Sequence, residues 1–120
     1  MTLYSSAMTL LLIVFNLAPL HIHYRVEATV VLAPADSSAE PLNGVTLTLK
    51  ARSGGTQFSG TSANGGRIVI EDVPPAIYDI AISGLPYDAK LIYVLQGRRD
   101  TLKEGLEVNG KTEVSILLSH

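Results

Sequence analysis

Asn64-Gly65-Gly66-Arg67-Ile68-Val69-Ile70-Glu71-Asp72-Val73-Pro74-Pro75-Ala76-Ile77-Tyr78-Asp79-Ile80-Ala81-Ile82 is the stretch whose reading decides the fold. Asn64-Gly65 supplies two residues suited to positive φ, the requirement of a tight hairpin turn. Ile68 and Ile70 alternate with Val69 and Glu71, the period of a half-buried strand. Pro74-Pro75 ends that strand, because proline lacks a ladder donor and has a fixed φ. Alternation then resumes, with Tyr78, Ile80 and Ile82 on one face and Asp79 and Ala81 on the other. Strand, proline corner, strand is the grammar of a β-sandwich. It specifies an architecture and no reaction.

Working outward, the same period recurs along the chain. Residues 26–32 are rich in β-branched side chains and read as a first strand. A polar, proline-bounded loop follows over residues 33–41. Val45, Leu47, Leu49 and Ala51 alternate with Thr46, Thr48 and Lys50, a strand with one wet face. Ser53-Gly54-Gly55 turns the chain into a short strand around Phe58. Beyond the deciding stretch, residues 90–96 form a strand with Leu91, Tyr93 and Leu95 on one face. Its other face, Ile92 and Val94, is also apolar, which places it centrally in a sheet. In the next loop Thr101 and Glu104 stand at capping-box spacing, and Gly105 is placed to stop a single helical turn. Residues 113–118 make the last strand, with Val114, Ile116 and Leu118 inward. Seven short strands joined by short links predict an all-β, seven-stranded antiparallel β-sandwich.

The N-terminus reads differently. Residues 2–24 carry no formal charge, and the apolar span 7–20 has the length of a signal-peptide core. Counted from residue 3 to 20 it reaches the lower limit of a membrane span, although Asn16 and Pro19 interrupt it. Residues 1–24 are therefore a hydrophobic leader helix, either a cleaved signal peptide or an N-terminal membrane anchor, unless the gene start is misplaced. The segment before the apolar span has no lysine or arginine, and the one small-residue cleavage pattern, Val26-Glu27-Ala28, falls inside the first strand. Residues 25–120 remain, close to the ~100 residues usual for one sandwich.

Composition removes several function classes. Nine basic against eleven acidic residues give a net charge of −2, and Arg98-Arg99 is the only adjacent basic pair. Nucleic acid is not an expected partner. The chain has no cysteine, which removes disulfides, thiolate chemistry, zinc–thiolate sites and lipoprotein acylation together. His21-Ile22-His23 puts two imidazoles on one face of a strand, but two ligands do not make a metal site. A serine triad lacks a base within the domain, and no nucleophile elbow is present. Glu71 and Asp72 are expected on opposite sides of their strand, a poor acid/base couple. No catalytic residue, cofactor or metal is expected.

Several segments, taken together and in order, resemble bacterial carboxypeptidase regulatory-like domains. They are Val26-Glu27-Ala28-Thr29-Val30-Val31 and Pro41-Leu42-Asn43-Gly44-Val45-Thr46-Leu47-Thr48-Leu49. Thr61-Ser62-Ala63-Asn64-Gly65 followed by Val73-Pro74-Pro75-Ala76-Ile77-Tyr78 resembles the family's central signature. Tyr93-Val94, Gly97-Arg98-Arg99-Asp100-Thr101-Leu102 and Gly105-Leu106-Glu107-Val108 fit its tail. The resemblance spans residues 26–119 and implies a Greek-key sandwich similar to transthyretin (prealbumin) and to starch-binding-like modules. Asn64, Gly65, Pro74, Pro75 and Tyr78 are then structural signature residues, with the Tyr78 hydroxyl bonded back to nearby backbone. The family usually has glycine where Ala76 stands, so either Ala76 makes an ordinary turn or the backbone there is mildly strained. The marks of enzymatic relatives are missing: the chain ends Leu117-Leu118-Ser119-His120 and not in the hydrolase's terminal motif. Asn109 has no first-strand lysine with which to form an isopeptide bond.

The function this implies is a non-enzymatic, exported accessory module with a structural or protein-interaction role at the cell envelope, periplasmic or extracellular. The alternative is a carbohydrate-binding module. Protein or polysaccharide is the expected partner, and the membrane is reached only through residues 3–20 if they are retained. Tyr87, beside Pro86 in a loop, is the leading candidate sugar platform, with Tyr24 behind it. Asp100 is a candidate ligand contact, though an amide-accepting turn is its simpler role.

Overall fold

A computed structural model describes residues 22–33 and 40–120. The leader helix expected over residues 1–24 lies outside the described residues up to residue 21; Ile22 and His23 are in no helix, and Tyr24, assigned to the leader, is instead the first residue of β1. The chain forms β1 (Tyr24–Ala33), β2 (Glu40–Pro41), β3 (Thr46–Ala51), β4 (Gln57–Thr61), β5 (Arg67–Val73), β6 (Ala76–Ser83), β7 (Lys90–Gln96) and β8 (Arg99–Asp100). A single-turn helix α1 (Thr101–Glu104), then β9 (Leu106–Val108) and β10 (Thr112–Ser119), complete it. All seven expected segments are extended, but ten strands are present among the described residues, which corrects the count of seven. The three additions, β2, β8 and β9, are too short to show alternation.

Two sheets pack face to face. One runs β2-β1-β10-β7-β8, with β5 also on β1, and the other runs β4-β3-β6-β9. Between them lie Val26, Val30, Ile68, Ile116 and Leu118 from the first sheet and Leu47, Leu49, Tyr78, Leu106 and Val108 from the second, all buried. The inward residues of β3, β6 and β10 are those that the sequence period indicated.

The sheets are not purely antiparallel. β1 pairs with β10 in parallel over eight residue pairs, from Val26 with Thr112 to Ala33 with Ser119. On its other side β1 is shared. Its first half pairs with β5, and its second half pairs with β2. The change of partner occurs at Val30, whose N–H donates to the Gly66 carbonyl (2.7 Å) and whose carbonyl accepts from the Leu42 N–H (3.1 Å). Gly66 has φ +77, and a Cβ there would sit 2.5 Å from the Val30 carbonyl oxygen. Only glycine lets the chain leave β1 at that point.

The deciding stretch is a pair of corners between sheets, and not a hairpin within one. Asn64 and Gly65 have φ of 50 and 91, as expected, and Gly66 continues the run. Ala63 and Arg67 exchange backbone hydrogen bonds of 2.9 and 3.0 Å across this turn. The flanking strands then part, β4 to one sheet and β5 to the other. Pro74-Pro75 carries the chain back across.

Two bulges correct the alternation. Between Tyr24 and Val26 the register of β1 against β5 shifts, so Glu71 and Asp72 both lie opposite Arg25. Asp72 takes φ 60, and Ile70 and Val73, three apart, both point inward (4% and 0% exposed). Glu71 and Asp72 are in consequence both exposed, not on opposite sides. Burying Val73 is worth ~1.5 kcal/mol or more, against ~1 kcal/mol for one left-handed aspartate, so the bulge wins. A second shift, where β7 meets Leu117 and Leu118, turns Leu91 and Val94 inward and leaves Ile92 and Tyr93 exposed. β7 is consequently not central: beyond β10 its other side meets only the two-residue β8.

Ala76 opens β6 and is absent from the positive-φ residues, which are Asn64 and Asp72 among the described non-glycines. The ordinary turn is thus the correct alternative, and the strain sits at Asp72. Chemical denaturation is expected to show opposite responses. Ala76→Gly should lose ~0.5–1 kcal/mol, while Asp72→Gly should lose nothing and Asp72→Val should lose more than 1 kcal/mol.

Candidate functional site

The register places the loops in two groups, one at each end of the sandwich. Residues 42–45, 62–66 and 83–89 and the end of β10 share the end where β1 finishes. Tyr24, Pro74-Pro75, Gly97 and the turn before β10 share the end where β1 begins.

At the first end, Ser62 is 3% exposed and ties the loops together. Its hydroxyl donates to the Leu42 carbonyl (2.8 Å) and accepts from the Val45 N–H (2.9 Å). The Asn43 side-chain oxygen accepts from the Gly66 N–H (2.8 Å). Gly84 packs so closely that a Cβ would lie 2.5 Å from the Gly44 carbonyl oxygen. On this rigid floor the Ala89 N–H bonds to the Pro86 carbonyl (3.0 Å), a turn that presents Tyr87 with its whole surface exposed (105%). Next to it, Asp88 meets His120 at 3.0 Å. An imidazole beside a carboxylate is two parts of a triad, but no hydroxyl among the described residues bonds to that ring.

At the opposite end, Arg25 donates twice to Glu71 (3.2 and 2.8 Å) and once to Glu27 (3.1 Å). Arg67 approaches Glu27 at 3.5 Å. The hydrogen bond from Arg25 holds the Glu27 carboxyl below its ordinary value. Its contribution is present above that ordinary value of 4.5 and is lost as pH falls through the lowered one. Apart from half-buried Glu27 the cluster is exposed, so it joins the start of β1 to the bulge only weakly.

Asp100 is the N-cap of α1, accepting from the Leu102 N–H at 3.1 Å. This is the amide-accepting turn expected of it, while the capping box from Thr101 does not form. Thr101 is buried instead, and its hydroxyl donates to the Val94 carbonyl (2.7 Å). Gly105 stops the turn as expected, its N–H on the Thr101 carbonyl at 2.9 Å. Arg99 donates to the carbonyls of Gly105 and Glu104, both at 2.7 Å. Asp100 pairs with Leu95 late in β7, whereas Tyr87 precedes β7, so the two candidate contacts do not converge. Tyr24 is half-buried and packed on the core, leaving less of it open to solvent than Tyr87.

His23 precedes β1 and His120 follows β10, at opposite ends of the parallel ladder; His21 lies outside the described residues. Among the described residues no three of His, Cys, Asp and Glu gather as metal ligands would. Nor is any described helix long and apolar enough to cross a membrane. The sequence reading missed Ser62, Asn43 and Gln96. The Gln96 amide donates to the Glu107 carbonyl (2.6 Å) and accepts from the Glu107 N–H (2.9 Å), bridging the two sheets. Only tertiary contact reveals such a role for a glutamine.

With this geometry in view, no family model matches the chain, and no curated protein matches it.

Tyr78 behaves as expected of a sandwich tyrosine. Its ring is 1% exposed and meets Phe58 edge-on, centroids 6.1 Å apart. Its hydroxyl donates to the Pro74 carbonyl at 2.6 Å. Burial pushes the phenol above its ordinary value of 10.0. The folded state thus holds this proton more tightly, and the linked stability is whole below pH 10.0 and lost as pH rises through the raised value. Tyr78→Phe should cost ~1 kcal/mol at pH 7. In urea melts against pH, it should also flatten the alkaline decline.

Proposed function

We propose that this chain is a carboxypeptidase regulatory-like domain, its seven long strands forming a Greek-key sandwich of prealbumin type. It serves as a non-enzymatic, exported accessory module with a structural or protein-interaction role at the cell envelope. The observation that carries this reading is the use made of the buried polar side chains. Ser62, Thr101 and Thr112 are the buried polar residues among those described. All three bond to backbone, Thr112 through a 3.0 Å bond to the Gly110 carbonyl. Each hydroxyl is engaged by the chain's own backbone, although Thr112 also borders an open depression with Gln96, Glu107 and Asn109. The order of segments that resembles the family supports the same reading.

The sandwich also limits how the leader can be processed. Val26 and Ala28 are core residues of β1, 0% and 2% exposed. Cleavage after Ala28 would remove both, together with the Arg25 and Glu27 contacts. Export therefore goes with cleavage before Tyr24 or with a retained anchor.

One observation favours carbohydrate binding as a second reading, namely the full exposure of Tyr87 above a rigid floor. Aromatic faces of this kind stack on the apolar faces of sugars.

The two readings separate in one purified, exported sample. N-terminal sequencing should begin at or before Tyr24; a mature protein starting at Thr29 would contradict the module as described. Titration with a polysaccharide panel should give no binding, and binding abolished by Tyr87→Ala would replace the first reading with the second.

A further inference from the structure

The structure assigns a mechanical role to the β1–β10 pair, as a shear clamp that resists tension applied between the start of β1 and the end of β10. The inference rests on strand pairing alone, so it does not depend on compartment or partner.

In a sandwich whose first and last strands pair antiparallel, the chain enters and leaves at one end. Tension on the flanks then peels the strands apart one hydrogen-bonded pair at a time. Here the pair is parallel, in unbroken register from Val26 with Thr112 to Ala33 with Ser119. The chain enters at one end of the ladder and leaves at the other, separated by about 26 Å for eight residues at the usual strand rise. Tension between the flanks runs along both strands in opposite directions. It loads the rungs together, so none can break first without the others bearing its share.

Both strands are also held from outside the pair. β1 is bound along its other edge by β5 and then β2, with the Val30 bonds to Gly66 and Leu42 between them. β10 is bound by β7 from Ser115 to Ser119. Sliding one strand past the other by a residue would bring outward side chains into the core. Val26, Val30, Ile116 and Leu118, each at most 1% exposed, would have to leave it. The clamp sits inside the first sheet, its inner face covered by the core and its outer face, with Thr29, Glu113 and Ser115, open to solvent.

The absence of cysteine makes the test direct, because introduced thiols become unique attachment points. Two double variants of the full chain are pulled at the same loading rate in a single-molecule force experiment. Ile22→Cys with His120→Cys loads the ladder in shear. Ile22→Cys with Asn109→Cys attaches both handles at one end and peels it. All three positions are exposed, so neither variant disturbs the core, and equal thermal melts would show that. The shear pair is expected to unfold at a several-fold higher force than the peeling pair. Equal forces, or a lower force for the shear pair, would overturn the assignment.

Discussion

The backbone of Val30 is the point on which this sandwich turns. A strand has two edges, and β1 must satisfy three partners with them: β10 along one edge, then β5 and β2 in succession along the other. The exchange is possible because one residue donates to Gly66 and accepts from Leu42. It also requires a glycine where a Cβ would collide with the Val30 carbonyl oxygen. With β1 fixed in this way, the turn 63–67 must cross between sheets. Pro74-Pro75 must bring the chain back, and the inner faces of both sheets then meet over aliphatic side chains.

Much of this was legible in the sequence. The alternation in residues 45–51, 78–82 and 113–118 named the inward side chains correctly, because each strand keeps strict period two. The punctuation at Asn64-Gly65 and Pro74-Pro75 marked true corners. What was not legible depends on pairing. Whether the last strand runs with or against the first leaves no mark on either strand's own pattern, so the parallel β1–β10 ladder was not foreseen. The bulges at Asp72 and beside Ile92 break the period by one residue. A reader counting in twos therefore places Val73 outside, and Leu91 with Tyr93. Where an aliphatic residue three positions from another finds room in the core, burial outweighs a strained aspartate.

The candidate site divides along the same line. Roles fixed by nearest neighbours were readable: Asp100 accepting an amide two residues on, Gly105 ending one turn, Tyr78 reaching back four residues. Roles fixed by distant partners were not. Ser62 joins Leu42 to Val45, Gln96 spans two sheets, and Thr101 turns from a presumed cap into a bond on Val94. In each case a polar side chain completes backbone bonding that the sandwich leaves open at its margins. These groups bond to the chain itself, while Tyr87 projects into solvent at the end that also holds Ser62.

If β1 is the strand on which the rest depends, its amides should be among the last to open. Native-state hydrogen exchange measures this residue by residue. The N–H groups of Ala28 and Val30 are expected to exchange only with global unfolding, at the free energy found by denaturant melts. Those of the Gly97–Arg98 turn should exchange far sooner. Exchange of Ala28 and Val30 through a low-energy local opening, with β10 still protected, would contradict the account.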